Sequence, residues 1–386
     1  MKSHRINKVH SSTRGIRKTG KSRLRFTVFT LLPLTFAVSQ ALANPDGGVV
    51  VGGQAAITQR PGVTIVDQAS NRAIINWNGF SIDPGELTKF NQPGIDAIAL
   101  NRVIGSDPSK LLGALEANGH VWLVNPNGIL FGPSARIDVH GLLATTADIT
   151  NQDFMAGRNH FTIASPNADA AVVNQGTISI GEHGLAALVA PHVHNAGIIQ
   201  GKMGQVVIAG VPTFTLDFYG DGLIQFQATS KVTENADPAE PLVRNDGTIS
   251  VDGGNVLITA NAAAGVVDET INMDGIIEAR SVGMVNGAIV LMGGDDGLVR
   301  VAGSMDASGR DAGETGGGVK VLGEKVALYA GTNIDTSGDA GGGEVLIGGN
   351  YQGKGAEPNA KRTYMASGAS IDANALTEGD GGKVIV

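Results

Sequence analysis

The chain contains no cysteine, so no disulfide framework can hold it and no thiolate is available as nucleophile or metal ligand. Aromatic residues make up only 4% of its 386 residues. Burial must therefore come from many Val, Ile, Leu and Ala side chains spread along the chain rather than from a few large anchors. A length that would suit two or three ordinary domains thus lacks the composition of an ordinary enzyme core. No Gly-x-Ser-x-Gly elbow, phosphate loop or dinucleotide fingerprint occurs. No helix-length apolar period separates the strand-like segments, which argues against βαβ units. What is abundant is glycine, 56 residues, beside an apolar fraction of 42% that excludes a disordered glycine-rich tract.

Acid is absent from the first 43 residues, which hold nine of the 28 Lys and Arg. The apolar run "FTVFTLLPLTFAV" (26–38) follows, too short to span a bilayer, and then "ALA" at 41–43. This order describes an extended Sec signal peptide over 1–43, cleaved between Ala43 and Asn44. A basic nucleic-acid-binding arm before a buried strand would leave that order unexplained. Without the segment, 19 cations face all 36 acids, and the charge moves from −8 to about −17. Such a chain repels nucleic acid and anionic lipid surfaces. The lack of cysteine suits a polypeptide that must stay unfolded in an oxidising periplasm.

From Asn174 onward one phrase returns: "NQGTISI" (174–180), "NAGIIQG" (195–201), "NDGTISV" (245–251), "MDGIIEA" (273–279), "AGSMDAS" (302–308), "GTNIDTS" (331–337) and "SGASIDA" (367–373). A second falls between: "GQVVIAG" (204–210), "GGNVLITA" (253–260), "NGAIVLMGG" (286–294), "GGGVKVLG" (316–323), "GGGEVLIGG" (341–349) and the closing "GGKVIV". Each reads as a short strand bounded by Gly, Asn or Asp, at the spacing of a solenoid. The expected fold is all-β, a parallel β-helix in which inward aliphatic side chains stack into one core and Gly or Asn takes left-handed corners. A narrow core would keep aromatics few. A sandwich or barrel would not need this recurrence. Val207 and Leu257 are expected to point inward, and residues 44–386 to form a rod-like monomer.

Two segments interrupt the repeats. "SDPSKLLGALEANG" (106–119) reads as a helix capped by Asp107, with Pro108 at its first position and Leu111, Leu112 and Leu115 on one face, covering the open end of the solenoid. "TFTLDFYGDGLIQFQA" (213–228) reads as an extra-helical β-hairpin turning at Gly220-Asp221-Gly222, its Phe214, Phe218 and Phe226 packed on the solenoid wall or offered for binding.

Between the strands "HVWLV" (120–124) and "ILF" (129–131), Asn125-Pro126-Asn127-Gly128 has turn chemistry at every position. Together with "INWNGFSID" (75–83), "LTKFNQP" (87–93), the stretch 99–149 and "NDGTISVDGGNVLITA" (245–260), it resembles the amino-terminal secretion domain of the filamentous haemagglutinin family. These are exoproteins of two-partner secretion in Gram-negative bacteria. The resemblance is densest over about 75–160 and covers most of the mature chain. It implies a right-handed parallel β-helix recognised by an outer-membrane two-partner secretion transporter, ahead of a passenger that acts on a host or neighbouring-cell surface. By the same resemblance Asn125, Pro126, Asn127, Gly128 and Ile129 form the secretion motif. The family's second motif, Asn-Pro-Asn-Leu, is missing, which places the chain in a branch without it. The implied organisation is a secretion domain over 44–244 and β-helical repeats over 245–386 that continue beyond the fragment. Replacement of Asn125 or Asn127 by Asp is expected to leave the fold intact and reduce export.

Other chemistry is sparse. Asp295-Asp296 and Asp306 with Asp311 are the carboxylates a β-helical polysaccharide lyase or hydrolase could use, but all lie in Gly-rich loops where solvated turn acids are the default. "GGDDG" and "EGDGG" resemble calcium-binding turns without the nonapeptide register. His192 and His194 would share one face of a strand, yet two ligands are too few for a metal site. No catalytic residue, metal or cofactor is assigned. The composite reading is a secreted exoprotein, adhesin- or haemagglutinin-like. Haem or metal scavenging, toxin carriage and a carbohydrate-degrading β-helix are the alternatives.

Overall fold

A computed structural model describes residues 44–219 and 223–386, without the side chains of 218–224. The signal segment with Ala43, the hairpin's Gly220-Asp221-Gly222 turn and the Phe218 side chain lie outside the described residues. The rest is a parallel β-helix with three strand columns. One column runs from Leu87–Asn91 through the first part of Ala114–Val124, then Thr177–Ile180, Thr248–Asp252, Ser304–Asp306 and Asn333–Asp335 to Ser370–Asp372. A second includes Ile98–Val103, Leu185–Ala190, Gln205–Gly210, Asn255–Ala260 and Glu344–Ile347. The third is the nine-stranded sheet from Ser109–Leu111 to Arg362–Met365. The columns continue without a break through residues 244–245, where Val243–Asn245 pairs with His192–Asn195 before it and Glu269–Met273 after it.

Stacking makes the core. Ile137, Ile178, Ile199, Ile249, Ile277, Met305 and Ile334 sit one above another in register, each at most 1% exposed. Each such side chain stabilises by about 1.5–3 kcal/mol relative to exposure. Central-core aromatics, Trp77, Phe80, Phe90 and Phe131, are confined to the amino-terminal coils. Later coils have no aromatic ring in the central core.

Many corner glycines are left-handed as expected, such as Gly253 (φ +70°), Gly294 (φ +72°) and Gly331 (φ +97°), but one column of them has a different cause. Gly197, Gly247, Gly275 and Gly303 are not among the positive-φ positions. A Cβ on each would collide with the carbonyl oxygen of the glycine one coil before it. Corner asparagines are not left-handed either. Asn174, Asn195 and Asn245 point inward, fully buried, as an amide ladder in which Asn174 donates to Asn195 (2.8 Å) and Asn195 to Asn245 (2.7 Å). Each amide satisfies the next, which removes the cost of burying it.

Three further expectations are corrected. Residues 106–119 contain no helix: Ser109–Leu111 and the start of Ala114–Val124 are strands. Leu111 and Leu115 are buried inward, and the Asn118 amide bonds both backbone groups of Gln92, at 2.7 and 2.8 Å. Pairing with strands on both sides overrides local helix propensity. The amino-terminal end is capped instead by antiparallel strands, Val49–Gly52 on Arg72–Trp77 and Ala55–Arg60 on Val63–Gln68. Finally, Val207 and Leu257 do not point into the central core. Val206, Ile208, Val256 and Ile258 do, while Val207 and the half-buried Leu257 belong to an outer layer.

That outer layer lies under the extra-helical hairpin. Phe214–Tyr219 and Leu223–Ala228 pair antiparallel, and Asn159–Phe161 adds a third strand. Phe214 stacks on Phe161 at 4.5 Å, and Trp122 and Phe154 complete the cluster on the wall. The helix Asn151–Met155, capped by Thr150, supplies Phe154.

Candidate secretion motif and neighbouring polar sites

Asn125-Pro126-Asn127-Gly128 is a hydrogen-bonded corner joining the second column to the third. The Gly128 N–H donates to the Asn125 carbonyl (3.1 Å), closing the turn, and Gly128 has φ +108°, which other residues rarely adopt. The Asn125 side chain is fully buried. Its amide donates to the Asp107 carbonyl and to Ser109 Oγ, both at 3.0 Å, and its oxygen accepts from the Asn127 N–H (2.9 Å) and Nδ2 (3.1 Å). Asn127, half-buried, also donates to the Gly105 carbonyl at 3.0 Å. The Pro126 carbonyl accepts from Ser165 Oγ at 2.7 Å, and Ile129 is buried beside Ser109 and Val172.

The motif is therefore a clamp drawing 105–109, 125–128 and Ser165 together. Asn125 is a folding determinant: nothing outside the chain can reach its amide in this state. The expectation that Asn125→Asp keeps the fold intact does not survive this geometry, whereas Asn127 and Pro126 keep exposed surface. Ser109 and Ser165 escaped sequence reading, because serines that bond residues 16 and 39 positions away leave no local pattern.

Among the remaining candidates His194, Asp295 and Asp306 make ordinary surface ion pairs, whereas His192 Nε2 is buried with no hydrogen-bond partner among the described residues. His194 meets Asp246 at 2.9 Å, and Arg244 pairs with the same carboxylate at 2.7 Å. Burial raises the Asp246 pKa, but the bonds from Arg244 and His194 outweigh it and hold it below its ordinary value. Asp306 accepts from the Ser308 N–H and pairs with Arg280 at 3.1 Å. Asp295 is 82% exposed at its side chain beside Lys231. The Asp311 N–H donates to Glu314. Among the described residues no group of three or more His, Asp or Glu is arranged to hold a metal ion.

A histidine pair missed by sequence reading lies beside a cavity of about 310 Å³ lined by Arg72, Asp96, His120, Asn159 and Asp217. The rings of His120 and His140 are 5.3 Å apart, edge to face. Burial foremost, then His140 and Arg72, push His120 down to about 4 against the opposing pull of Asp96; His140 is lowered by burial and by His183. The folded-state pKa is thus below the unfolded one. The contribution to stability is complete above pH 6.5 and is lost as pH falls through about 4, because the unfolded state binds the proton first. The urea midpoint of wild type is expected to fall over that window by the equivalent of at most about 3 kcal/mol, and His120→Gln to flatten the slope. Identical slopes for the two proteins would contradict the assignment.

Comparison with known proteins adds three findings. A family model described as TPS secretion domain, where TPS denotes two-partner secretion, matches residues 41–309. The crystal structure of the HMW1 secretion domain from Haemophilus influenzae superposes with a TM-score of 0.76 at 32% identity, covering 86% of this chain and 84% of that one. A heme/hemopexin-binding protein of Haemophilus influenzae is 28% identical over 280 residues, 70% of this chain and 30% of the relative. The chain thus spans about a third of the length of that curated relative.

Proposed function

Because this chain belongs to the TPS secretion domain family, we propose that it crosses the inner membrane by Sec export and presents its first coils to an outer-membrane two-partner secretion transporter. The family match over 41–309 carries this reading, since it covers the cap, the Asn-Pro-Asn-Gly corner and the extra-helical hairpin together. The recognition motif is Asn125, Pro126, Asn127, Gly128 and Ile129, with Pro126 and Asn127 as its accessible part. For the whole protein we propose adhesion to a host or neighbouring-cell surface. Haem capture is the second reading, favoured by the name of the curated relative.

The test is expression with and without the cognate transporter. Material outside the cell is expected only with the transporter, with an intact mass corresponding to a chain that begins at Asn44. Secreted chain that retains the basic segment, or release without the transporter, would refute the export route.

A further inference from the structure

We propose that the cavity between the β-helix wall and the extra-helical sheet binds a small zwitterion of the α-amino-acid class, with its carboxylate on Arg72 and its ammonium between Asp96 and Asp217. Three separate parts of the chain line this space of about 310 Å³. Arg72, Ile98 and His120 lie side by side on successive wall strands, Asn159 begins the strand Asn159–Phe161, and Asp217 stands on the hairpin strand Phe214–Tyr219. Asp96 precedes Ile98 at the corner. The volume is at the lower end of ligand pockets.

Arg72 is held in place with donors to spare. Its guanidinium lies 4.9 Å over the Phe154 ring, and Nη1 donates to the Phe154 carbonyl (2.9 Å) and to Asn159 Oδ1 (3.4 Å). Nε and Nη2 have no partner among the described residues, and both remain accessible. The side chains of Asp96 and Asp217 likewise make no ion pair or hydrogen bond among the described residues. One cation and two carboxylates therefore face the same cavity without closing a pair. On the same wall Arg102 behaves in the ordinary way and meets Asp148 at 2.9 Å. Burial lowers the Arg72 pKa, and no carboxylate offsets that effect.

The free Nε and Nη2 edge of Arg72 presents two donors that suit one carboxylate. A bare anion there would be repelled by Asp96 and Asp217, whereas a ligand with an ammonium on the adjoining carbon satisfies all three groups. His120 adds no second cation at neutral pH, because burial foremost pushes its pKa down to about 4. One positive group against two negative ones favours neutral and basic amino acids over acidic ones. With Arg72 on the wall and Asp217 on the hairpin, the bound zwitterion ties the extra-helical sheet to the β-helix and stabilises the folded chain. The inference is independent of the route of export.

The test is calorimetric titration and thermal melting of the purified secreted chain at neutral pH with glycine, leucine, lysine and glutamate, and with acetate and methylammonium as half-ligands. Leucine, glycine or lysine is expected to bind and raise the melting temperature, and glutamate and each half-ligand to bind at least about tenfold more weakly. Asp96→Asn and Asp217→Asn should each weaken the amino acid by about threefold to tenfold. Their unliganded melts should match wild type, because neither carboxylate has a partner to lose. Arg72→Gln should abolish binding, but it also releases Phe154, so the two Asp variants separate lost binding from lost packing. No binding of any amino acid up to about 10 mM, acetate or glutamate binding as tightly as the best amino acid, or unchanged affinity in both Asp variants would overturn the proposal.

Discussion

Ile258→Asp is expected to unfold the β-helix, whereas Leu257→Asp, one residue away, leaves it folded. Ile258 is fully buried, in register with Ile208 on one side and Leu291 on the other. A carboxylate there has no cation or donor, and an uncompensated buried charge costs several kcal/mol in addition to the lost aliphatic contacts. In a stacked fold the damage spreads to both neighbouring coils, because each coil pairs only with the next. Leu257 points to the outer layer and is only half-buried, so its carboxylate can reach water at a cost of about 1–2 kcal/mol. Circular dichroism and thermal melting of the two variants decide the matter. A folded Ile258→Asp protein, or equal loss in both, would contradict the inward–outward assignment.

Asn125→Asp carries the second-largest expected effect. The change removes the donor that holds the Asp107 carbonyl and Ser109, and it places a carboxylate against that carbonyl in a site with no exposure. Loss of the bonds and desolvation of the charge together cost about 2–5 kcal/mol, a fall in melting midpoint of about 3–7 °C for a chain of this length. Export should fall with it. Asn127→Asp loses the bonds from its Nδ2 to the Gly105 carbonyl and to Asn125 Oδ1 but keeps its backbone N–H bond to Asn125 and keeps solvent, so its stability should fall by about 1–2 kcal/mol, less than that of Asn125→Asp. If the transporter reads the exposed part of the corner, Asn127→Asp separates the effects, with near-normal melting and reduced export. A normal melting midpoint for Asn125→Asp would refute the clamp. Normal export for Asn127→Asp would confine the motif to folding.

Two strand columns were legible because their strands carry repeated signatures, "GTISI" and "GQVVIAG", bounded by glycine at each corner. The third was not. Its strands, such as Val243–Asn245, Lys325–Leu328 and Arg362–Met365, are short, charged on the outward face and different in every coil. What they share is an inward residue that only stacking reveals. The buried Asn174–Asn195–Asn245 ladder looked like three corners for the same reason: an asparagine before Gly is locally turn-like, and only the coil above and below makes it a core residue.

The missed parity of Val207 and Leu257 has a related origin. In "QVVIAG" and "NVLITA" both faces of the strand are covered, one by the central core and one by the outer layer under the hairpin. Alternation, which tells inside from outside, is erased by a layer that comes from elsewhere in the chain. Residues 106–119 misled in the opposite way, since Leu111 and Leu115 fit a helical face and an inward strand pattern equally well. The Asn-Pro-Asn-Gly corner was legible as a turn and, by resemblance, as a secretion motif. Its internal use of the Asn125 amide was not legible, because the partners lie 16 and 18 residues away.

On the proposed export route the capped amino-terminal coils contain all that the transporter needs. Residues 1–309, fused ahead of a passenger that is not exported by itself, test it directly. Passenger is expected outside the cell when the cognate transporter is present and in the periplasm when it is absent. Retention in both cases, or release in both, would contradict it.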